Sequence, residues 1–385
     1  MANYNLDDPV ELLCALTAIN SVNSSLVPGA PGESEIADFV SKWFSDRDFE
    51  VTRLEERSGR PSIVAVSKGA TSDRKIMLNG HMDTVTIASY EGEPLNPIRK
   101  DGNVYGRGTF DMKGGLAAMM VAANRAAKSG INGQVIVAAV ADEEHASFGT
   151  EEVLKLFTAD VGIVAEPTML GLTIAHKGFS WFDVVIHGRA AHGSRHDLGI
   201  DAISKAGHAL VALETYAQEL LKRNKIEFLE TGSLHASIIK GGEEVSSYPA
   251  ECTISLERRT VPGETHEMVT TEIKAILDGL VVTVPEFKYT LVQGLARRPL
   301  QVSRDHEIVK SIQNHYQART RNDVTLRGEW YWTDAALMND AGITSVLFGV
   351  DGEGAHAATE WATESSVQTV ADVITDVVIE WCNQA

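Results

Sequence analysis

Acids and imidazoles recur where short apolar runs end in this 385-residue chain. Gly80-His81-Met82-Asp83 follows Ile76-Met77-Leu78-Asn79, and Asp142-Glu143-Glu144 follows the run 136–141. Glu166-Pro167 follows 161–165, and Asp351-Gly352-Glu353-Gly354-Ala355-His356 follows 346–350. A fifth segment, the glycine-rich run 106–115, sets Asp111 just ahead of an alanine- and methionine-rich stretch. Clustered carboxylates repel one another unless cations lie among them. Two histidines and several Asp/Glu, without Cys, form a nitrogen/oxygen donor set that suits Zn²⁺, with Co²⁺ or Mn²⁺ as alternatives. With more than four candidate donors, two divalent metals fit better than one; such a pair activates water and polarises a carbonyl.

Roles follow from spacing. Asp111 is the candidate to bridge both metals. His81 and Asp83 lie two apart, so on an extended segment they face the same way. Asp83 is then expected to accept from the His81 N–H and fix its tautomer. Glu143 and Glu144 are adjacent and cannot both coordinate with good geometry. One binds metal and the other holds the water as general base. His145 is a rival ligand, whereas His176, His187 and His196 read as packing or surface residues. Thr333-Asp334 is either pocket lining or the capped start of a helix. The run before Asp111 is no dinucleotide loop, because no strand with a GxGxxG turn precedes it.

These residues need a scaffold. Asp8, Pro9 and Glu11 signal the start of a first helix, and a second is expected over 33–47. Apolar runs at 63–66, 75–78, 134–140, 161–165 and 345–350 alternate with helical segments, notably 114–128. That pattern predicts an α/β sheet, mostly parallel. Ligands bind at the carboxyl ends of strands in such sheets, so the five segments should meet along one rim. From about 177 to 293 the pattern changes. Residues 181–187 and 250–257 alternate in period two, as half-buried strands do, and amphipathic helices are expected over 200–223 and 265–280. The reading is a two-domain chain: residues 1–176 and 294–385 form the α/β domain, and 177–293 are an inserted α+β domain.

Composition excludes several classes. Hydrophobic residues make up 44% and charged residues 23%, ordinary for a globular protein. Lys+Arg total 34 against 53 Asp+Glu, a net charge of −19. Such a surface repels phosphate backbones and anionic membranes, so neither nucleic acid nor membrane is an expected partner. The opening MANYNLDDPV lacks the features of a secretory signal, and the longest apolar runs are too short to span a bilayer. Cys14, Cys252 and Cys382 are far apart, which fits a reducing cytoplasm.

GHMDTV, GRGTFDMKGG, DEE, AEPT and GEGAH, in this order, resemble the metal-site motifs of the M20 metallopeptidases. The resemblance is closest to the acetylornithine deacetylase and succinyl-diaminopimelate desuccinylase branch. It implies that His81, Asp111 and Glu166 ligate one metal and Asp111, Glu144 and His356 the other, with Glu143 as base. It also implies that the inserted domain is a lid that mediates homodimerisation. His192, in GRAAHGS, would stabilise the oxyanion of the scissile carbonyl. Arg258 would bind a substrate carboxylate, a role that Arg259 could share or take over. Ser246 stands where the family usually carries Asn. The expected activity is removal of the acyl group from an N-acyl amino acid or similar small amide. Alternatives are a dipeptidase or exopeptidase with the same site and a catalytically silent metal-holding protein. Glu143 argues against the last, because structural metal binding needs no base.

Overall fold

The computed structural model describes residues 4–384, and the chain divides into two compact units. The first runs to Ile174 and takes in Val302–Arg327 and the chain from Thr333 onward. Its sheet follows the order Glu50–Leu54, Ser62–Val66, Gln134–Val140, Lys75–His81, Val161–Val164, Thr344–Phe348, Leu172–His176. The four strands from Gln134–Val140 to Thr344–Phe348 are parallel, and antiparallel pairings flank them. The parallel strands are buried on both faces, as their runs rich in Val, Ile, Leu, Ala and Met require.

Local chemistry sets the helix positions. Pro9–Thr17 starts where the Asp8 carboxylate accepts from the N–H groups of Val10 and Glu11. Gly114–Lys128 packs against Glu364–Asn383. Its start lies so close to the end of Val161–Val164 that a Cβ on Gly115 would sit 1.9 Å from the Ala165 carbonyl oxygen. Only glycine allows that approach, and the approach holds Asp111 and Glu166 near each other.

The second unit comprises Ala175–Gln301 and Gly328–Trp332. Its four-stranded antiparallel sheet has the order Ser233–Gly241, Glu251–Thr260, Gly178–His187, Tyr289–Arg297. Cys252, Ile254 and Leu256 on one strand and Phe182, Val184 and Ile186 on its neighbour face the same core. Ala202–Leu220, capped by Asp201, and His266–Thr283, capped by Thr265, close that core with Leu213, Val269, Ile273 and Leu277. The expected boundary at 293 therefore moves. Tyr289–Arg297 is the fourth strand of this sheet, and the unit continues to Gln301. Among the described residues, no helix is long and apolar enough to cross a membrane, and Cys14, Cys252 and Cys382 are free and buried.

Candidate metal centre

The carboxyl ends of the parallel strands carry the donors. His81 is the last residue of its strand; Asp142-Glu143-Glu144 and Glu166 follow the next two. Asp111 lies in the turn Thr109–Lys113, where the Asp111–Met112 peptide is cis. Two donor sets result: His81, Asp111 and Glu166, and Asp111, Glu144 and His356, each with ligand atoms within 4.8 Å of one another. Asp111 divides its carboxylate between them. Oδ1 is 3.2 Å from His81 Nε2, and Oδ2 is 3.3 Å from His356 Nε2. Glu166 Oε1 lies 3.6 Å from His81 Nε2, and Glu144 Oε2 lies 2.9 Å from His356 Nε2. Glu143 stands beside the first set, 3.9 Å from His81 Nε2, but belongs to neither. His145 is exposed and joins neither set.

Electrostatics fit a pair of cations. Burial raises Glu143 and Glu166 well above the usual carboxylate range, Glu143 further through Glu166 and Glu166 further through Asp111. Glu144 is pushed up to about 7 by burial and by Asp111. His356 rises to about 10 because it hydrogen-bonds Asp111 and Glu144. Burial works against the charge of Asp111 too, yet His356 and His81 hold it well below the ordinary value. Glu144 Oε1 is buried with no hydrogen-bond partner. An orphaned anionic oxygen inside a carboxylate cluster fits a cation ligand, and the oxygen/imidazole chemistry suits a divalent metal.

The expected role of Asp83 is corrected. His81 Nδ1 donates to the Asp83 backbone carbonyl at 2.9 Å, while the Asp83 carboxylate is 3.7 Å away. That bond leaves Nε2 facing Asp111 and Glu166, the ring nitrogen that a metal would take in place of a proton. The Asp83 carboxylate instead accepts from the backbone N–H groups of Glu143 and Glu144 and from Asn23 Nδ2. It orients the segment that carries the two glutamates. Behind it, Arg60 binds Asn23 Oδ1, Glu33 and Asp142. Asn23, Glu33 and Arg60 carry no motif, and nothing in their local sequence marks them.

Three expected substrate contacts fare differently. Arg258 has its side chain fully buried in the second unit, bound to Glu264, the Tyr216 hydroxyl and the Arg259 carbonyl. Its guanidinium stabilises the start of the turn before His266–Thr283. Arg259 is the more accessible of the two and pairs with Glu257. Of the two readings of Thr333, the structure shows the helix start. Thr333 is buried, and its hydroxyl accepts from the Ala335 N–H at the start of Ala335–Asp340. Ser246 is exposed, and its carbonyl accepts from Gly193 N–H, beside the pairing of His192 with Ser247. His192 is exposed too. Its Nδ1 accepts from the Ser194 N–H and hydroxyl, so the neutral ring carries its proton on Nε2 and presents a donor. His176 is a packing residue, buried and lowered to about 4 by desolvation, whereas His187 and His196 lie toward the surface.

Peptidase family M20/M25/M40 matches over residues 77–380. Acetylornithine deacetylase of Myxococcus xanthus is 28% identical over 381 residues, covering 97% of this chain and 96% of that protein. N-formyl-4-amino-5-aminomethyl-2-methylpyrimidine deformylase of Bacillus subtilis is 25% identical over 391 residues, covering 93% and 91%. A tripeptidase from Staphylococcus aureus superposes with a TM-score of 0.80 at 21% identity, over 99% of this chain and 100% of that one. At that identity the likeness carries the fold.

Proposed function

The chain belongs to peptidase family M20/M25/M40, and from that premise we propose that it is a metal-dependent amidohydrolase that releases a small acyl group from the nitrogen of an amino acid or similar amine. It is an enzyme of C–N amide hydrolysis. One observation carries the reading. Two donor sets share Asp111, and a further carboxylate, Glu143, stands beside them without belonging to either. Metal storage needs no such spare base. The names of the sequence relatives, a deacetylase and a deformylase, support acyl release over peptide cleavage.

His81, Asp111 and Glu166 would hold one divalent metal and Asp111, Glu144 and His356 the other, with Zn²⁺ best suited to these donors and Co²⁺ or Mn²⁺ able to replace it. When bound, the metals supply Lewis-acid polarisation of the acyl carbonyl and a lowered pKa for water. Glu143 takes the proton of the attacking water and passes it to the departing nitrogen. Asp83 keeps Glu143 in place through the backbone. His192, donating through Nε2, would bind the oxyanion as it develops, an interaction useful mainly in the transition state.

The assembly is proposed to be a homodimer formed through the second unit. Ser233–Gly241 is the outer strand of its sheet and, among the described residues, pairs on one side alone, with Glu251–Thr260. Ile238 and Ile239 on it are each 51% exposed, and an open apolar edge favours pairing with a second copy. A cytoplasmic location is supported by the three free cysteines.

A substrate and metal screen tests the function. Chelator-treated protein is assayed with Zn²⁺, Co²⁺ and Mn²⁺ against N-acetyl, N-formyl, N-succinyl and N-carbamoyl amino acids and against dipeptides. Turnover of an N-acyl compound, abolished by chelation and restored by metal, is the expected result. Preference for dipeptides would move the assignment to a peptidase, and full activity in metal-free protein would overturn the mechanism.

A further inference from the structure

Arg107 and Glu360 are both 1% exposed and form an ion pair at 2.8 Å. A buried ion pair contributes little net stability, because desolvation offsets the attraction. Its use must be sought in geometry. Glu360 Oε1 accepts from the backbone N–H groups of Phe110 and Asp111, both at 3.0 Å. Its Oε2 accepts from the Gly108 N–H at 2.9 Å and from Arg107 Nη1. One carboxylate therefore gathers the N–H groups of the turn that presents Asp111.

Arg107 continues the connection. Its Nη2 donates to the Ala357 carbonyl at 2.8 Å, and its Nε to the Thr86 carbonyl at 3.2 Å. Ala357 follows His356, which adopts a left-handed φ of 60°. Asp111 and His356 are far apart in sequence, yet the two loops that carry them are tied through one guanidinium and one carboxylate. His81 needs no such tie, because the buried strand Lys75–His81 holds it. The His356 side chain is 55% exposed and sits on a loop.

We propose that Arg107 and Glu360 are positioning residues that hold Asp111 and His356 in register and so set the affinity of the Asp111–Glu144–His356 donor set for its metal. The proposal rests on the two-metal reading above. Neither residue touches the donors' ligand atoms; each acts through the backbone beside a ligand. Lysine at 107 cannot donate in the guanidinium's forked geometry to both Glu360 and Ala357. Glutamine at 360 would turn an amide NH₂ toward N–H donors.

The test is a Co²⁺ titration of chelator-treated full-length protein, followed by calorimetry and visible absorption. Wild type, Arg107→Lys and Glu360→Gln are compared, with circular dichroism reporting the fold. The wild type should bind two equivalents. In Arg107→Lys, which releases the His356 loop, one equivalent should bind nearly as before and the second at least ~10-fold more weakly, the usual cost of losing an outer partner of a ligand. In Glu360→Gln, which loosens the turn of the shared Asp111, both should weaken, the second more. Their kcat should fall at limiting Co²⁺ and recover with excess Co²⁺, while KM for the acyl substrate changes little. A general structural defect would not be rescued by metal. Two equivalents bound with wild-type affinity in either folded variant would overturn the proposal, and Arg107→Lys remains informative if Glu360→Gln misfolds. Fewer than two equivalents in the wild type would overturn the two-metal reading itself, a result distinct from failure in the variants alone.

Discussion

Glu143 and Glu144 are sequence neighbours with different surroundings, and amide substitution separates their roles. Glu143→Gln keeps the shape and removes the proposed base, so kcat should fall by ~10²–10⁴ with metal content near normal. Glu144→Gln should instead weaken metal binding, as checked by elemental analysis after dialysis; the opposite pattern would mean the roles are reversed. The clustering of the candidate donors was legible from sequence because each ends an apolar run or precedes a helix, places where a sheet exposes side chains at its rim. The orientation around them was not. The acceptor for His81 Nδ1 is a backbone carbonyl, and backbone acceptors leave no trace in residue type. Asn23 reaches Asp83 across 60 positions and Asp142 across 119, so only the folded chain joins them. The surroundings of Arg258 were hidden for a related reason. Two adjacent arginines on a strand face opposite ways, and the sequence does not tell which one faces the core.

Helix Gly114–Lys128 and strand Val161–Val164 meet at Gly115, which makes one methyl group a probe of the contact between elements. Gly115→Ala places a Cβ against backbone, the Ala165 carbonyl, which has no flexible end to move aside. The substitution should cost ~1–3 kcal/mol of stability by overpacking. It should also loosen metal binding at the His81–Asp111–Glu166 set, because Ala165 precedes Glu166. Urea unfolding and metal titration would measure the two effects, and an unchanged unfolding midpoint would contradict the packing argument. At this scale hydrophobic period was a good guide. Gly114–Lys128 and Gln134–Val140 appear where the pattern put them. Tyr289–Arg297 was missed in part because its pairing with Gly178–His187 shifts register between Gln293 and Ala296, and the irregularity breaks the alternation that marks a strand.

At the level of the whole molecule, the proposed dimer makes a counting argument available. Suppose His192 serves a neighbouring copy. Mixed dimers of Glu143→Gln and His192→Ala chains would then contain one site with both lesions and one with neither, and should recover about half of wild-type activity. Purified mixed dimers that recover nothing would reject service across the two-fold axis. The donor order along the chain has a consequence for biosynthesis. His81, Asp111 and Glu166 all precede Ala175, where the second unit begins, whereas the other set is complete only at His356. The interval is 356 − 166 = 190 residues, roughly 10–40 s of translation at ~5–20 residues per second. A nascent chain thus carries one complete donor set through the synthesis of its entire second unit. The ribosome would deliver the two proposed metal sites in sequence, with cofactor loading open to begin well before the polypeptide is released.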